Sequence, residues 1–177
     1  MATVVELLAL ADRLMEEGRR DLNQGGRSGA QRFRDGLMIA ALANRPLRRR
    51  NLSALKIGDS FTVDGDRVRV RFKGSQTKTG QPIEFDYPTY LDGPFAYYLS
   101  KARPVLRERA VEPDDEMLWI ERGGRAMGER GITHRISALT KRHLGRMISP
   151  HLFRDCVATD IAVHDPTHVG ITKSVLV

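Results

Sequence analysis

Cysteine is nearly absent from this chain of 177 residues; Cys156 stands alone. One thiol closes no internal disulfide and builds no cysteine-ligated zinc site, so a disulfide scaffold is excluded and a reducing compartment is expected. Long apolar runs are absent as well. No stretch is long enough to cross a membrane, and none has the plan of a signal peptide. The expectation is a soluble protein of the cytoplasm, associated with the nucleoid, that has no membrane partner. Internal repeats and low-complexity tracts are also lacking.

Positive charge is what the chain has in quantity, and it is segregated. The formal net charge is +7. Residues 45–73 hold nine basic and three acidic side chains, and residues 122–154 hold eight basic and one acidic, so the rest of the chain is net negative. Segregation of this kind points to a polyanionic partner, most often nucleic acid, or else to a solvated basic surface. The length suffices for one domain with a real core.

Hydrophobic periodicity divides the chain into helices around a small sheet. Residues 3–18 read as an amphipathic helix, with Val5, Leu8, Asp12 and Met15 on one face and Leu7, Leu10, Ala11 and Leu14 beside it. The sequence "NQGGRSG" (23–29) reads as a flexible loop. A second helix is expected over 30–44, with Phe33, Leu37, Ala40 and Ala41 inward, and a short one over 48–56. The pattern then switches to alternation. "SFTV", the turn "DGD", "RVRVRF" (67–72) and "PIEFDY" predict three strands, the middle one with Val68, Val70 and Phe72 on its buried face and three arginines opposite. Helices are expected again at 94–108, 128–144, 150–163 and 166–177. The fold class is therefore α+β, mainly helical with a small three-stranded antiparallel sheet.

Three short motifs could carry chemistry. In "SPHLFRD" (149–155), Ser149 and Pro150 suit a helix start, and His151 and Arg154, three apart, share a helical face. Both could meet one anion, the arginine through a planar fork and the histidine as donor or proton carrier. Taken alone, so short a motif favours the plainer reading, a surface histidine and arginine near a helix start. In "RPLRRRNLSALKIGD" (45–59), Arg48 is spaced with Leu52 and Leu55 on the apolar side, while Arg49 and Arg50 point elsewhere, to solvent or a backbone phosphate. An inward arginine needs a carboxylate partner or an anion site. In "KGSQTKTGQPIEF" (73–85), Lys78 sits at a hairpin tip, free to reach into a site or to remain solvated.

Taken together, in this order and spacing, the motifs resemble the catalytic domain of the tyrosine recombinase (phage integrase) family. Arg48, Asn51, Leu55 and Asp59 match the pattern around the family's first arginine, with asparagine where glutamate is commoner. Thr77–Gly80 match its lysine turn, and "HLFR" matches its His-x-x-Arg. The likeness covers about residues 30–177. It implies catalytic roles for Arg48, Lys78, His151 and Arg154, and DNA contacts for Arg49, Arg50, Lys73 and Thr77. It further implies duplex DNA as partner, no metal or other cofactor, and a parent protein that is tetrameric on DNA.

The family's nucleophile is a tyrosine some thirty residues beyond His-x-x-Arg. Only 23 residues follow Arg154, and none is a tyrosine. Tyr87, Tyr90, Tyr97 and Tyr98 lie upstream, and His164 and His168 precede the place of the family's last histidine. The expectation is a single catalytic domain over residues 1–177, of which 1–29 are an N-terminal helix and loop. It is expected to be cut short before the tyrosine helix, to lack an N-terminal clamp domain, and to be a monomer or weak oligomer that binds DNA without cleaving it.

Overall fold

The computed structural model describes residues 2–164 except 66, 109 and 113. The helix expected at 166–177 lies outside the described residues. Among the described residues, seven α-helices accompany one three-stranded sheet: α1 (Val4–Asn23), α2 (Ser28–Asn44), α3 (Arg49–Ser53), β1 (Phe61–Asp64), β2 (Arg67–Phe72), β3 (Ile83–Asp86), α4 (Asp92–Tyr97), α5 (Arg103–Arg107), α6 (Glu129–Leu144) and α7 (Pro150–His164). The expected class, mainly helical with a small antiparallel sheet, is the one observed. No described helix is long and apolar enough to cross a membrane.

Helix α1 starts at a capping box, in which Thr3 and Glu6 satisfy each other's free N–H groups. It runs five residues beyond the expected end. Its buried face is Leu7, Leu10, Ala11, Leu14, Met15 and Gly18, whereas Val5 is 70% exposed. The stretch read as a flexible loop over 23–29 narrows to a four-residue turn, 24–27, because Asn23 still belongs to α1 and Ser28 and Gly29 already open α2. The reason lies in packing. Gly18, Gly29 and Gly36 let α1 and α2 touch backbone to backbone. A Cβ on Gly18 would lie 2.6 Å from the Phe33 nitrogen, on Gly29 2.4 Å from the Gly18 oxygen, and on Gly36 2.6 Å from the Ala11 oxygen. Glycines that look like loop residues in sequence are here the contact surface of two helices.

Helix α2 is buried on nearly every side, from Gly29 through Ala43. Two of its buried residues are charged. Arg34 and Asp35 are 1% and 0% exposed. The Arg34 guanidinium donates to Asp35 Oδ1 at 2.6 Å and to the Ile120 carbonyl at 2.7 Å. Arg135 of α6 donates through Nε to Asp35 Oδ2 at 2.7 Å. One carboxylate thus joins α2, α6 and the extended segment around Ile120. The sequence reading assigned no element to that segment. Its "MLWI" run (117–120) places Leu118, Trp119 and Ile120 in the core, and the Leu118 N–H donates to Leu55 O at 2.8 Å.

The sheet has the order β1-β2-β3, antiparallel throughout, with Val70 opposite both Phe61 and Phe85. Val68, Val70 and Phe72 are buried as expected. The outward arginines are neutralised across the ladder: Arg69 Nε donates to Asp86 at 2.7 Å, Arg67 lies 3.7 Å from Asp86, and Arg71 lies 3.6 Å from Glu84. The Arg69 hydrogen bond holds the Asp86 carboxyl below its ordinary range. Much of the positive charge counted over 45–73 is therefore internal to the sheet, and the charge available to a partner concentrates in 45–50.

The helix expected over 94–108 is broken by a π turn, Tyr98–Ala102, in which the Arg103 N–H bonds back to Tyr98 O. Pro104 explains it: a proline has no N–H to give and its ring crowds the carbonyl four residues back.

Removal of the Asp35 carboxylate should leave Arg34 charged and buried without its partner. Asp35→Ala is expected to cost about 3–5 kcal/mol, which for a chain of this size lowers Tm by roughly 10 °C. A calorimetric scan showing a loss under about 1 kcal/mol would refute this account of the triad.

Candidate functional site

Three separate parts of the chain meet in one cleft. Arg48 is the residue before α3, in extended conformation, with its carbonyl accepting from the Leu52 N–H at 2.9 Å. It was expected on the first turn of a helix starting at 48; α3 starts one residue later and is only five residues long. The flanking Leu47, Leu52 and Leu55 are buried and anchor this turn, so Arg48 is left half-buried at its edge. Arg49 and Arg50, one and two residues on, are exposed.

The loop between β2 and β3 carries Lys78. It is held from within. The Gln76 side-chain oxygen accepts from the Lys73 N–H at 2.7 Å, and the Thr77 hydroxyl faces the carbonyls of Gln81 at 2.7 Å and Gly74 at 3.0 Å. Gly74 packs so closely that a Cβ would lie 2.2 Å from the Gly80 oxygen, and Gly80 itself has φ +71°. The loop is held from outside by Asn51. Its amide, 2% exposed, donates to the Gln76 carbonyl at 3.3 Å. Among the described residues this is the hydrogen bond that ties the Lys78 loop to α3.

The third part is the start of α7. Gly145, at φ +70°, ends α6, and the buried Thr140 hydroxyl accepts from the Ile148 N–H at 2.9 Å. That bond fixes the short connection into α7 at Pro150. His151 is exposed on the first turn. Arg154 is half-buried, with Nη1 donating to the Pro46 carbonyl at 3.1 Å, so α7 is fastened to the turn that presents Arg48. Burial, and then the nearby Arg48 charge, push the Arg154 pKa down. Two guanidinium groups in mutual electrostatic reach favour an anion between them.

The cleft has a volume of about 590 Å³ and is lined by Arg48, Arg49, Arg50, Asn51, Lys78, Glu129, His151 and Arg154. All four residues singled out for catalysis from sequence lie on it, as do Arg49 and Arg50. Lys73 and Thr77 do not line it. Lys73 is exposed at the base of the loop, and Thr77 turns its hydroxyl to the loop's own backbone. Of the two readings of Arg48, a carboxylate partner or an anion site, the structure gives no ion pair to Arg48 among the described residues and places it on the cleft.

Sequence reasoning missed Glu129. It opens α6, lines the cleft, and its Oε2 lies 3.0 Å from Arg49 Nε. The available signal was its place as the lone acidic residue in a strongly basic stretch. A larger depression of about 760 Å³, lined among others by Glu112, Glu121, Arg122 and Arg125, carries balanced charge and gathers none of these residues.

No described tyrosine lines the cleft. Tyr87 and Tyr98 are core residues, 4% and 0% exposed. Burial raises both phenols, that of Tyr98 to about 12, and the Tyr98 hydroxyl donates to Leu118 O at 2.9 Å. Tyr97 packs against Phe33 with the two rings tilted, and burial raises the Tyr90 phenol.

No family model matches the chain. Over 133 residues it is 29% identical to tyrosine recombinase XerC of Pseudomonas fluorescens and 27% identical to that of Pseudomonas syringae pv. syringae. Each alignment covers 72% of this chain and 39% of the relative, so the chain spans well under half the length of the curated relatives it matches. Its fold is that of the XerH site-specific recombinase. The XerH structure bound to palindromic difH substrate, a post-cleavage complex, superposes with a TM-score of 0.62 at 16% identity, over 93% of this chain and 44% of that one. The pre-cleavage complex with difH gives the same score over 93% and 45%.

The tether from Asn51 should be measurable. Asn51→Ala removes one hydrogen bond worth about 1 kcal/mol, so amides of residues 74–80 are expected to exchange roughly fivefold faster. Unchanged exchange in that loop would show that the loop is held by other contacts.

Proposed function

We propose that this chain, a relative of the tyrosine recombinases in sequence and fold, is the DNA-binding catalytic-domain portion of a site-specific recombinase or integrase. The observation that carries this reading is the meeting of Arg48, Lys78, His151 and Arg154, from three separate segments, on one basic cleft. A phosphodiester fits that donor set. Arg48 and Arg154 grip the non-bridging oxygens and take up the extra negative charge that develops when the phosphorus is attacked. Lys78, on a loop tip held by Asn51, delivers a proton to the departing 5′ oxygen. His151 donates to a phosphate oxygen and assists proton transfer.

In the parent reaction a tyrosine oxygen bonds to phosphorus as the bond to the 5′ oxygen breaks. The new 3′-phosphotyrosine link conserves the phosphodiester energy until a DNA hydroxyl reverses the step, so neither metal nor high-energy cofactor enters. The four tyrosines of the present sequence are all away from the cleft. The 177 residues therefore bind duplex DNA inside the cell and do not cut it, as a monomer or weak oligomer, while the parent assembles as a tetramer on DNA. Arg49 and Arg50, at the rim, add contacts to the backbone. Contacts of this kind read phosphates and carry little base preference.

Two experiments bear on this. Fluorescence anisotropy with a labelled duplex should show weak binding that falls about a hundredfold between 50 and 200 mM salt, the drop expected for roughly four phosphate contacts. Arg48→Ala and Arg154→Ala should each weaken it and flatten the salt dependence by about one phosphate. Affinity indifferent to salt is the result that sinks the proposal. Separately, incubation with nicked or suicide duplexes should yield no covalent adduct on a denaturing gel. An adduct formed by these 177 residues would mean that one of the four upstream tyrosines reaches phosphorus, against their placement.

A further inference from the structure

The cleft is not uniformly positive. Of the eight side chains that line it, one is a carboxylate, and that carboxylate engages a cleft arginine: Glu129 Oε2 sits 3.0 Å from Arg49 Nε. Glu129 belongs to the first turn of the 16-residue α6, where the helix's free N–H groups favour a negative charge. Arg49 belongs to the first turn of α3, next to Arg48. The pair therefore bridges two of the elements that wall the cleft. Its members are 63% and 39% exposed, which makes the pair weak and easily exchanged.

We propose that Glu129 sets which anions the cleft accepts, by occupying Arg49 until a phosphate of a polyanion displaces it. The inference rests on reading the cleft as a phosphate site. Its logic is electrostatic. A phosphate entering between Arg48 and Arg154 brings negative charge towards Glu129, and it gains Arg49 only by breaking the Arg49–Glu129 pair. An isolated phosphate supplies one compensating contact set and meets the full repulsion. A duplex supplies neighbouring phosphates, to Arg50 and to Arg49 itself, and so offsets the exchange. Glu129 thus acts as a filter: it lowers affinity for every anion but handicaps small ones most. A neutral residue at 129 removes the filter and frees Arg49 at rest.

The test is a double-variant cycle on the full 177-residue chain, with a labelled duplex and with inorganic phosphate as probes. Glu129→Gln should bind duplex about threefold to tenfold more tightly, with the salt slope steeper by about 0.9, as expected for one more arginine free to neutralise a phosphate. The gain for inorganic phosphate, followed by NMR, should be proportionally larger. Arg49→Gln alone should weaken duplex binding about threefold, because a bound duplex takes Arg49 from Glu129 and loses that contact in the variant. In the double variant the gain from Glu129→Gln should shrink to the part that repulsion by Glu129 alone accounts for. A gain undiminished by Arg49→Gln, or no gain at all, overturns the gate: the first would be repulsion with no contribution from the pair, the second an idle surface pair. Wild-type protein that binds no duplex rejects the DNA reading instead, and the phosphate arm then decides the gate alone, by the same pattern across the four proteins. Glu129→Ala, made in parallel with circular dichroism as a folding control, carries the test if the glutamine variant is unstable.

Discussion

The Asp35 carboxylate sits on a fully buried helix with a guanidinium on either side of it, and the placement of the cleft depends on that arrangement. A charge at 0% exposure is tolerated only if its hydrogen-bonding capacity is met, and here Arg34 takes one oxygen while Arg135 takes the other. The consequence is geometric. Arg135 lies on α6, so α6 is fixed against α2, and the first turn of α6 brings Glu129 to the cleft. The end of α2 runs into Pro46, whose carbonyl receives Arg154 from α7. Thus α2 is the common reference for both ends of the site: one clamp is an ion triad in the core, the other the hydrogen bond from Arg154 to the Pro46 carbonyl at the rim.

Such a scaffold suits a site built of like charges. Arg48, Arg49, Arg50, Lys78 and Arg154 bring like charges to one cleft, and the Arg154 pKa is pushed down first by burial and then by the Arg48 charge. Repulsion of this kind would spread a loosely held cluster. It is resisted because each cation is attached to a rigid part. Arg48 follows the buried Leu47, Lys78 rides on a loop closed by Thr77 and Gly74 and fastened by Asn51, and Arg154 is tied to Pro46. The strand arginines, by contrast, are paired to Asp86 and Glu84 and add nothing to the cleft. The arrangement holds its cations in place before any anion arrives.

The asparagine at position 51 shows how a departure from a familiar pattern can have local sense. Where glutamate is commoner, a carboxylate would only accept hydrogen bonds. The Asn51 amide donates, and the atom it meets is a carbonyl, that of Gln76. A carboxylate so placed would face that carbonyl with no proton between them. In this chain the negative charge at the site comes instead from α6, through Glu129.

The local sequence alone determined the elements and the candidates. Alternation fixed β2 and its buried Val68, Val70 and Phe72, because a strand's side chains alternate whatever lies around them. Three short motifs named Arg48, Lys78, His151 and Arg154, because each is marked by its own neighbours: a leucine-spaced turn, a glycine-bounded loop tip, and a Ser-Pro helix start. Other features depend on which distant residues meet, and these only the tertiary structure decided. Gly29 reads as loop, and Gly18 and Gly36 as unremarked helix positions, until two helices are seen to touch through them. Asp35 reads as an ordinary polar position until Arg135, a hundred residues on, closes over it. Glu129 becomes part of the cleft only when α6, paired to Asp35 through Arg135 and packed against α3, sets its first turn beside Arg49. Local propensity and spacing are short-range quantities, whereas burial and charge pairing are set by contacts between remote segments, and no window along the chain contains both partners.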